Sequence, residues 1–174
     1  MDLRGYKSMA VDYAKRSFLR ARISKELPLR PPYNAGEQQF IERCTRCNEC
    51  VDVCETKIIE IGSGGFPRVN FADDECTFCG KCSDVCESNA LDKTENQAFS
   101  TDITVTNQCL AQNEVYCQSC RDACDELAIK FDFFSERIPK PQIDLEACNS
   151  CGACVSICPP NAINITITKE RFDE

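Results

Sequence analysis

The chain has 174 residues, enough for one compact domain or two small ones, and 16 of them are cysteine while none is histidine. The missing histidine excludes Cys/His zinc sites, Rieske-type clusters and Ser-His or Cys-His catalysis, so any bound metal is held mainly by sulfur. The net charge of −8 is unevenly spread: residues 1–31 carry eight basic and three acidic side chains, the rest 12 basic against 25 acidic, and a body this negative excludes nucleic acid as a partner.

Residues 1–39 read as a basic N-terminal arm and Pro-rich linker. Val11, Ala14, Phe18 and Ala21 fall at helical spacing, with Lys15, Arg16, Arg20 and Arg22 elsewhere on the wheel. Such an amphipathic helix lies either on the chain's own acidic body or against a partner protein, a membrane surface being a third option. Lys15-Arg16-Ser17-Phe18-Leu19-Arg20 resembles a twin-arginine export motif, but Ala21-Arg22-Ile23-Ser24-Lys25-Glu26 stands where the apolar stretch belongs, so export is not expected. Pro28 and Pro31-Pro32-Tyr33 read as extended linker. No run of 18 apolar residues occurs, and the expectation is a cytoplasmic protein with no membrane span.

From residue 40 onward the cysteines form four runs of four. The first (Cys44, Cys47, Cys50, Cys54), second (Cys76, Cys79, Cys82, Cys86) and fourth (Cys148, Cys151, Cys154, Cys158) are C-x2-C-x2-C-x3-C; the third (Cys109, Cys117, Cys120, Cys124) is C-x7-C-x2-C-x3-C. The repeat extends beyond cysteine. Pro67-Arg68-Val69-Asn70-Phe71 precedes the second run as Pro141-Gln142-Ile143-Asp144-Leu145 precedes the fourth, each an alternating strand. Further short strands are expected at Ile58–Ile61, Ala128–Phe131 and Ala162–Ile167, with Gly62-Ser63-Gly64-Gly65 as a hairpin turn. Two modules follow, 40–98 and 99–174, each too small for a generous core and needing an inorganic staple.

Three cysteines at i, i+3 and i+6 cannot all pair as disulfides, and zinc knuckles use separated C-x2-C pairs. The spacing suits a 4Fe-4S cubane, with three corners wrapped by the loop and the fourth left to a distant cysteine. It resembles that of two-cluster bacterial ferredoxins, in which the last cysteine of each run ligates the other run's cluster. Carried over, the quartets are Cys44, Cys47, Cys50 with Cys86; Cys76, Cys79, Cys82 with Cys54; Cys109, Cys117, Cys120 with Cys158; and Cys148, Cys151, Cys154 with Cys124. The seven residues after Cys109 leave two readings there, a fourth ligand or a bystander beside a 3Fe-4S cluster or an exchangeable iron. Three fourth cysteines are followed by a carboxylate, Glu55, Glu87 or Asp125, and only Cys158 by proline, Pro159. A charge about 8 Å from a cluster at an effective dielectric near 20 opposes one-electron reduction by roughly 90 mV before screening, unless solvent absorbs it.

These residues, with Arg30-Pro31-Pro32, Cys44-Thr45-Arg46-Cys47, Gly62 through Phe71, Glu75-Cys76-Thr77-Phe78-Cys79, Cys109-Leu110-Ala111 and Cys148 through Cys154, resemble the NapF-type ferredoxins, accessory iron–sulfur proteins of periplasmic nitrate reductase systems. The resemblance implies an α+β fold of two tandem bacterial-type 2x(4Fe-4S) ferredoxin-like modules with short strands and helices, preceded by the basic arm. It also implies four 4Fe-4S clusters on the sixteen cysteines, and action in the cytoplasm on the precursor of the nitrate reductase catalytic subunit before export. The rival readings are an electron-transfer iron–sulfur subunit of a molybdopterin oxidoreductase and a scaffold with purely structural clusters. No nucleophile–base pair or phosphate loop marks an enzyme acting alone.

Overall fold

A computed structural model describes residues 27–134 and 137–167. The amphipathic arm expected around residues 11–22 lies outside the described residues. Elements are short: α1 (Glu37–Arg43), α2 (Glu49–Asp52), β1 (Ile59–Ile61), β2 (Pro67–Val69), α3 (Lys81–Asp84), β3 (Thr101–Val105), α4 (Ser119–Asp122), β4 (Ile129–Phe131), β5 (Pro141–Ile143), α5 (Ala153–Ser156) and β6 (Ile163–Ile167).

The strands pair as three antiparallel two-stranded ribbons. In β1–β2 Ile59 faces Val69, in β4–β5 Ile129 faces Ile143, and in β3–β6 Val105 faces Ile163. Ribbons of three to five residues are too small to stand alone. Each lays its apolar side on cysteine-bearing loops, so that Cys50, Cys76 and Cys82 sit in one core with Phe40, Ile58, Ile59 and Phe71, and Cys154 in the other with Ile103, Ile129 and Ile163.

Residues 27–39 do not form the linker expected of them. Arg30, Pro31 and Pro32 are buried, the Val69 amide donates to the Leu29 carbonyl, and Asn34 bridges to Leu91. That bridge is the first module's counterpart of the β3–β6 ribbon. The anchor is Arg30, whose Nε and Nη2 donate to both Glu37 carboxylate oxygens at 2.7 Å and whose Nη1 donates to the Pro67 carbonyl at 3.0 Å. Its guanidinium stands 5.2 Å from the Phe40 ring and 5.6 Å from the Phe66 ring. A planar, forked cation satisfies these contacts together; lysine could not.

The modules meet through the second and fourth cysteine runs. The Cys76 amide donates to the Cys151 carbonyl at 2.8 Å, and within the second module Thr101 Oγ1, at the start of β3, donates to Ser150 Oγ at 2.6 Å. Phe71 lies so close to Gly152 that an added Cβ would come within 2.2 Å of its ring. Glycine at 152, with φ +92°, therefore serves both the left-handed backbone and the close approach.

Candidate metal centres

Each run closes on the same local geometry. A one-turn helix begins just before the third cysteine, and the residue three beyond the fourth cysteine (Lys57, Asn89, Leu127 or Asn161) is left-handed, its amide donating to that cysteine's carbonyl. The left-handed turn returns the chain from the ligand loop into a strand or bridge. Two such positions hold asparagine, which tolerates the conformation; Leu127 holds it at a cost of roughly 1 kcal/mol. In the second and fourth runs the residue after the second cysteine is left-handed glycine, Gly80 and Gly152; in the first it is left-handed Asn48. The third run departs, with Gln118 at φ −138°.

Sulfurs from different runs are brought together in the crossed arrangement. One open-mouthed cavity of about 380 Å³ is lined by Cys54, Cys76, Cys79 and Cys82 with Tyr33, Ile58, Ile59 and Phe78. A second, about 360 Å³, is lined by Cys124, Cys148, Cys151 and Cys154 with Ile103, Ile129 and Ile143. A third, about 350 Å³, is lined by Cys109, Cys117, Cys120 and Cys158 with Val105, Leu110, Phe131 and Pro141. Around Cys50, the charges of Cys44, Cys47 and Cys86 act together on its thiol. Cys109 is thus placed with its quartet: the 3-10 turn Ala111–Asn113 coils the long insert, and Asn113 Nδ2 ties it to the Asn107 and Cys109 carbonyls.

Burial pushes the thiols of Cys50, Cys82 and Cys154 up to about 12, and those of Cys76 and Cys120 up to about 11, with neighbouring cysteines adding to the rise. Four sulfurs whose negative charges oppose one another in an apolar pocket fit a cationic iron–sulfur core. Among the described residues no three Cys, Asp or Glu side chains converge on one ion-sized point. The sulfurs surround a volume, which suits the corners of a cubane better than a single zinc ion. Hydroxyls flank three of them: Thr56 Oγ1 lies 3.6 Å from Cys54 Sγ, Ser88 Oγ 3.7 Å from Cys86 Sγ and Ser119 Oγ 3.7 Å from Cys117 Sγ, while the Ala162 amide donates to Cys158 Sγ at 3.3 Å. Asn48 Oδ1 and Gln118 Oε1 are buried with no hydrogen-bond partner among the described residues.

The quartets are also ordered. Cys82 feels Cys50, linking second and first; Cys76 feels Cys151, linking second and fourth; Cys154 feels Cys120, linking fourth and third. The carboxylates beside the fourth cysteines are not equivalent. Glu55 is ion-paired with Lys81, which holds its carboxyl below the usual range and raises the Lys81 ammonium. The lone negative field expected at Glu55 is therefore opposed by a cation from the next run. This pairing was invisible in sequence because it joins residues 26 positions apart across a crossed fold.

The chain is also similar to known proteins along most of its length. A family profile for the 4Fe-4S dicluster domain matches residues 43–90 and 115–162. The chain is 37% identical over 156 residues to the ferredoxin-type protein NapF of Escherichia coli K12, covering 89% of this chain and 95% of that protein. It is 38% identical to the NapF of Haemophilus influenzae, covering 90% and 96%. It is also 32% identical over 133 residues to one subunit of an ion-translocating oxidoreductase complex from Methanosarcina acetivorans, covering 70% of this chain and 46% of that protein. Two dicluster domains in tandem, built from short helices and strands and matched along nine-tenths of the chain, place this protein in the family of NapF ferredoxin-type iron–sulfur proteins.

Proposed function

We propose that the chain is a cytoplasmic accessory polyferredoxin that carries four 4Fe-4S clusters and assists the precursor of a periplasmic nitrate reductase catalytic subunit before its export. Its sixteen cysteines serve as ligands in the four crossed quartets, divided between modules 40–98 and 99–174. The observation that carries the reading is the gathering of cysteines from separate runs into shared apolar pockets, in a chain similar to NapF along nearly its whole length.

A bound cubane would supply one-electron exchange, at a potential set by the charge, hydrogen bonds and solvent exposure around its sulfurs. The protein's own contribution is to hold four thiolates, to exclude water with Ile59, Ile103, Ile129 and Phe131, and to lend hydroxyl and amide hydrogens to Cys54, Cys86, Cys117 and Cys158. Among the described residues no helix is long and apolar enough to cross a membrane.

The test is an anaerobic binding assay with iron-loaded protein against the reductase subunit before and after export. Retention of the precursor and not of the mature subunit is expected. Equal retention of both would favour the second reading, an electron-transfer subunit of a larger oxidoreductase, to which the similarity with the ion-translocating complex also points.

A further inference from the structure

The two modules act as controls for one another, because residues 47–61 and 117–131 align without a gap at an offset of 70, Cys47 with Cys117 and Ile59 with Ile129. Where the first module has Arg46 before its second cysteine, the second has Tyr116. Where the β1–β2 loop reads Ser63-Gly64, the longer β4–β5 loop reads Phe133-Phe134. In the first module these positions close on each other: Arg46 Nη1 donates to the Gly64 carbonyl at 3.4 Å, and its guanidinium stands 5.2 Å from the Phe66 ring.

In the second module the same positions are apolar and open. Tyr116 is 59% exposed, Val115 beside it 50%, and Phe134 stands fully in solvent. Phe133 stacks on Phe131 at 6.2 Å, with the Arg121 guanidinium 5.6 Å from the Phe133 ring, and Phe131 lines the third cavity with Cys117. Single exposed apolar residues are ordinary, but aromatic residues at both positions where the first module has an arginine and a glycine, one of them next to Cys117, are not. Across residues 114–140, which carry the whole group, Glu114, Asp122, Asp125, Glu126, Asp132 and Glu136 outnumber Arg121, Lys130, Arg137 and Lys140.

We infer that Val115, Tyr116, Phe133 and Phe134 form a docking face for a partner protein whose apolar centre is framed by lysine and arginine. Aromatic anchors supply the affinity, and the carboxylates set orientation and salt dependence. The choice of probe rests on the function proposed above; the face itself does not.

The test uses iron-loaded full-length protein with Tyr116→Arg, Phe134→Gly or both, residues that the first module already carries at those places, and Arg46→Ala as the control. Unchanged visible spectra establish that the variants fold. Binding is measured anaerobically to the purified reductase precursor and to oxidised mitochondrial cytochrome c, a basic protein with an apolar haem edge. The double variant is expected to bind the precursor more than tenfold more weakly and Arg46→Ala within twofold of wild type. Wild-type affinity of the double variant for the precursor would overturn the face and leave the maturation reading standing. A wild-type protein that ignores the precursor would end the maturation reading, and cytochrome c then decides the face: a tenfold loss sustains it, while equal binding or none overturns it. A photo-crosslinker at position 134 that captures residues 1–26 of the same chain would also overturn it, by showing the face covered from within.

Discussion

Replacing Gly152 by alanine tests the junction between the modules most sharply. The residue has φ +92°, where a Cβ costs roughly 1–2 kcal/mol. The new methyl would also stand 2.2 Å from Phe71 Cδ1 and 2.3 Å from Cγ, where carbon atoms ordinarily rest about 3.5–4 Å apart. The ring must retreat by more than about 1 Å within a packed core, an overpacking cost of roughly 1–3 kcal/mol. Gly80→Ala is the internal control: its φ is +74°, and the nearest atoms, at 3.1 Å, belong to the flexible, part-exposed Lys93 side chain. The two variants share the backbone cost and differ by the Phe71 clash, about 1–3 kcal/mol, or roughly 5- to 150-fold. The assay is anaerobic loss of the visible thiolate-to-iron absorption in guanidinium, for which Gly152→Ala should bleach faster than Gly80→Ala by that factor. Adding Phe71→Leu should restore part of the loss, a coupling that a double-mutant cycle reads directly. Equal bleaching of the two glycine variants would refute the packing of Phe71 against the fourth run.

Arg30→Ala leaves the Glu37 carboxylate part-buried without its fork and is expected to destabilise the first module by about 3–5 kcal/mol, seen as a lower guanidinium midpoint, while Arg30→Lys recovers only part. Glu55→Gln should raise the midpoint potential of the second quartet's cluster and Lys81→Gln should lower it. The double variant should return close to wild type in an anaerobic redox titration; shifts of the same sign would show that the pair acts through structure and not charge. In cluster-free protein the buried thiols hold their protons above the ordinary value near 9, so they favour the fold below pH 9 and lose that contribution as pH rises through about 12. Iron must displace those protons, and anaerobic reconstitution should begin faster at pH 8.5 than at pH 7; a flat profile would contradict proton release as the limiting step.

Much of this was legible in the chain, because cysteine spacing and two-residue alternation are local signals. The strands begun by Pro67 and Pro141, those over Ile59–Ile61 and Ile163–Ile167, and the turn through Gly62 all lie where the pattern puts them. What depends on distant contacts was not legible. Strand β3 hides in a polar stretch, and Ile103 becomes core only when β6 arrives beside it. Arg30-Pro31-Pro32 has the composition of a linker and becomes an anchor only because Glu37 and the Pro67 carbonyl await the guanidinium. Phe71 against Gly152 needed both modules in place. A usable signal existed for the aromatic patch: aligning run three on run one sets Tyr116 against Arg46.

All sixteen cysteines are proposed to hold iron, in four complete clusters. Anaerobic iron and acid-labile sulfide per chain, with EPR before and after dithionite, tests it most directly. About 16 iron and 16 sulfide are expected, with little signal until reduction. About 12 iron, or a 3Fe-4S signal in the untreated protein, would contradict it and remove Cys109 from the ligands of the third quartet.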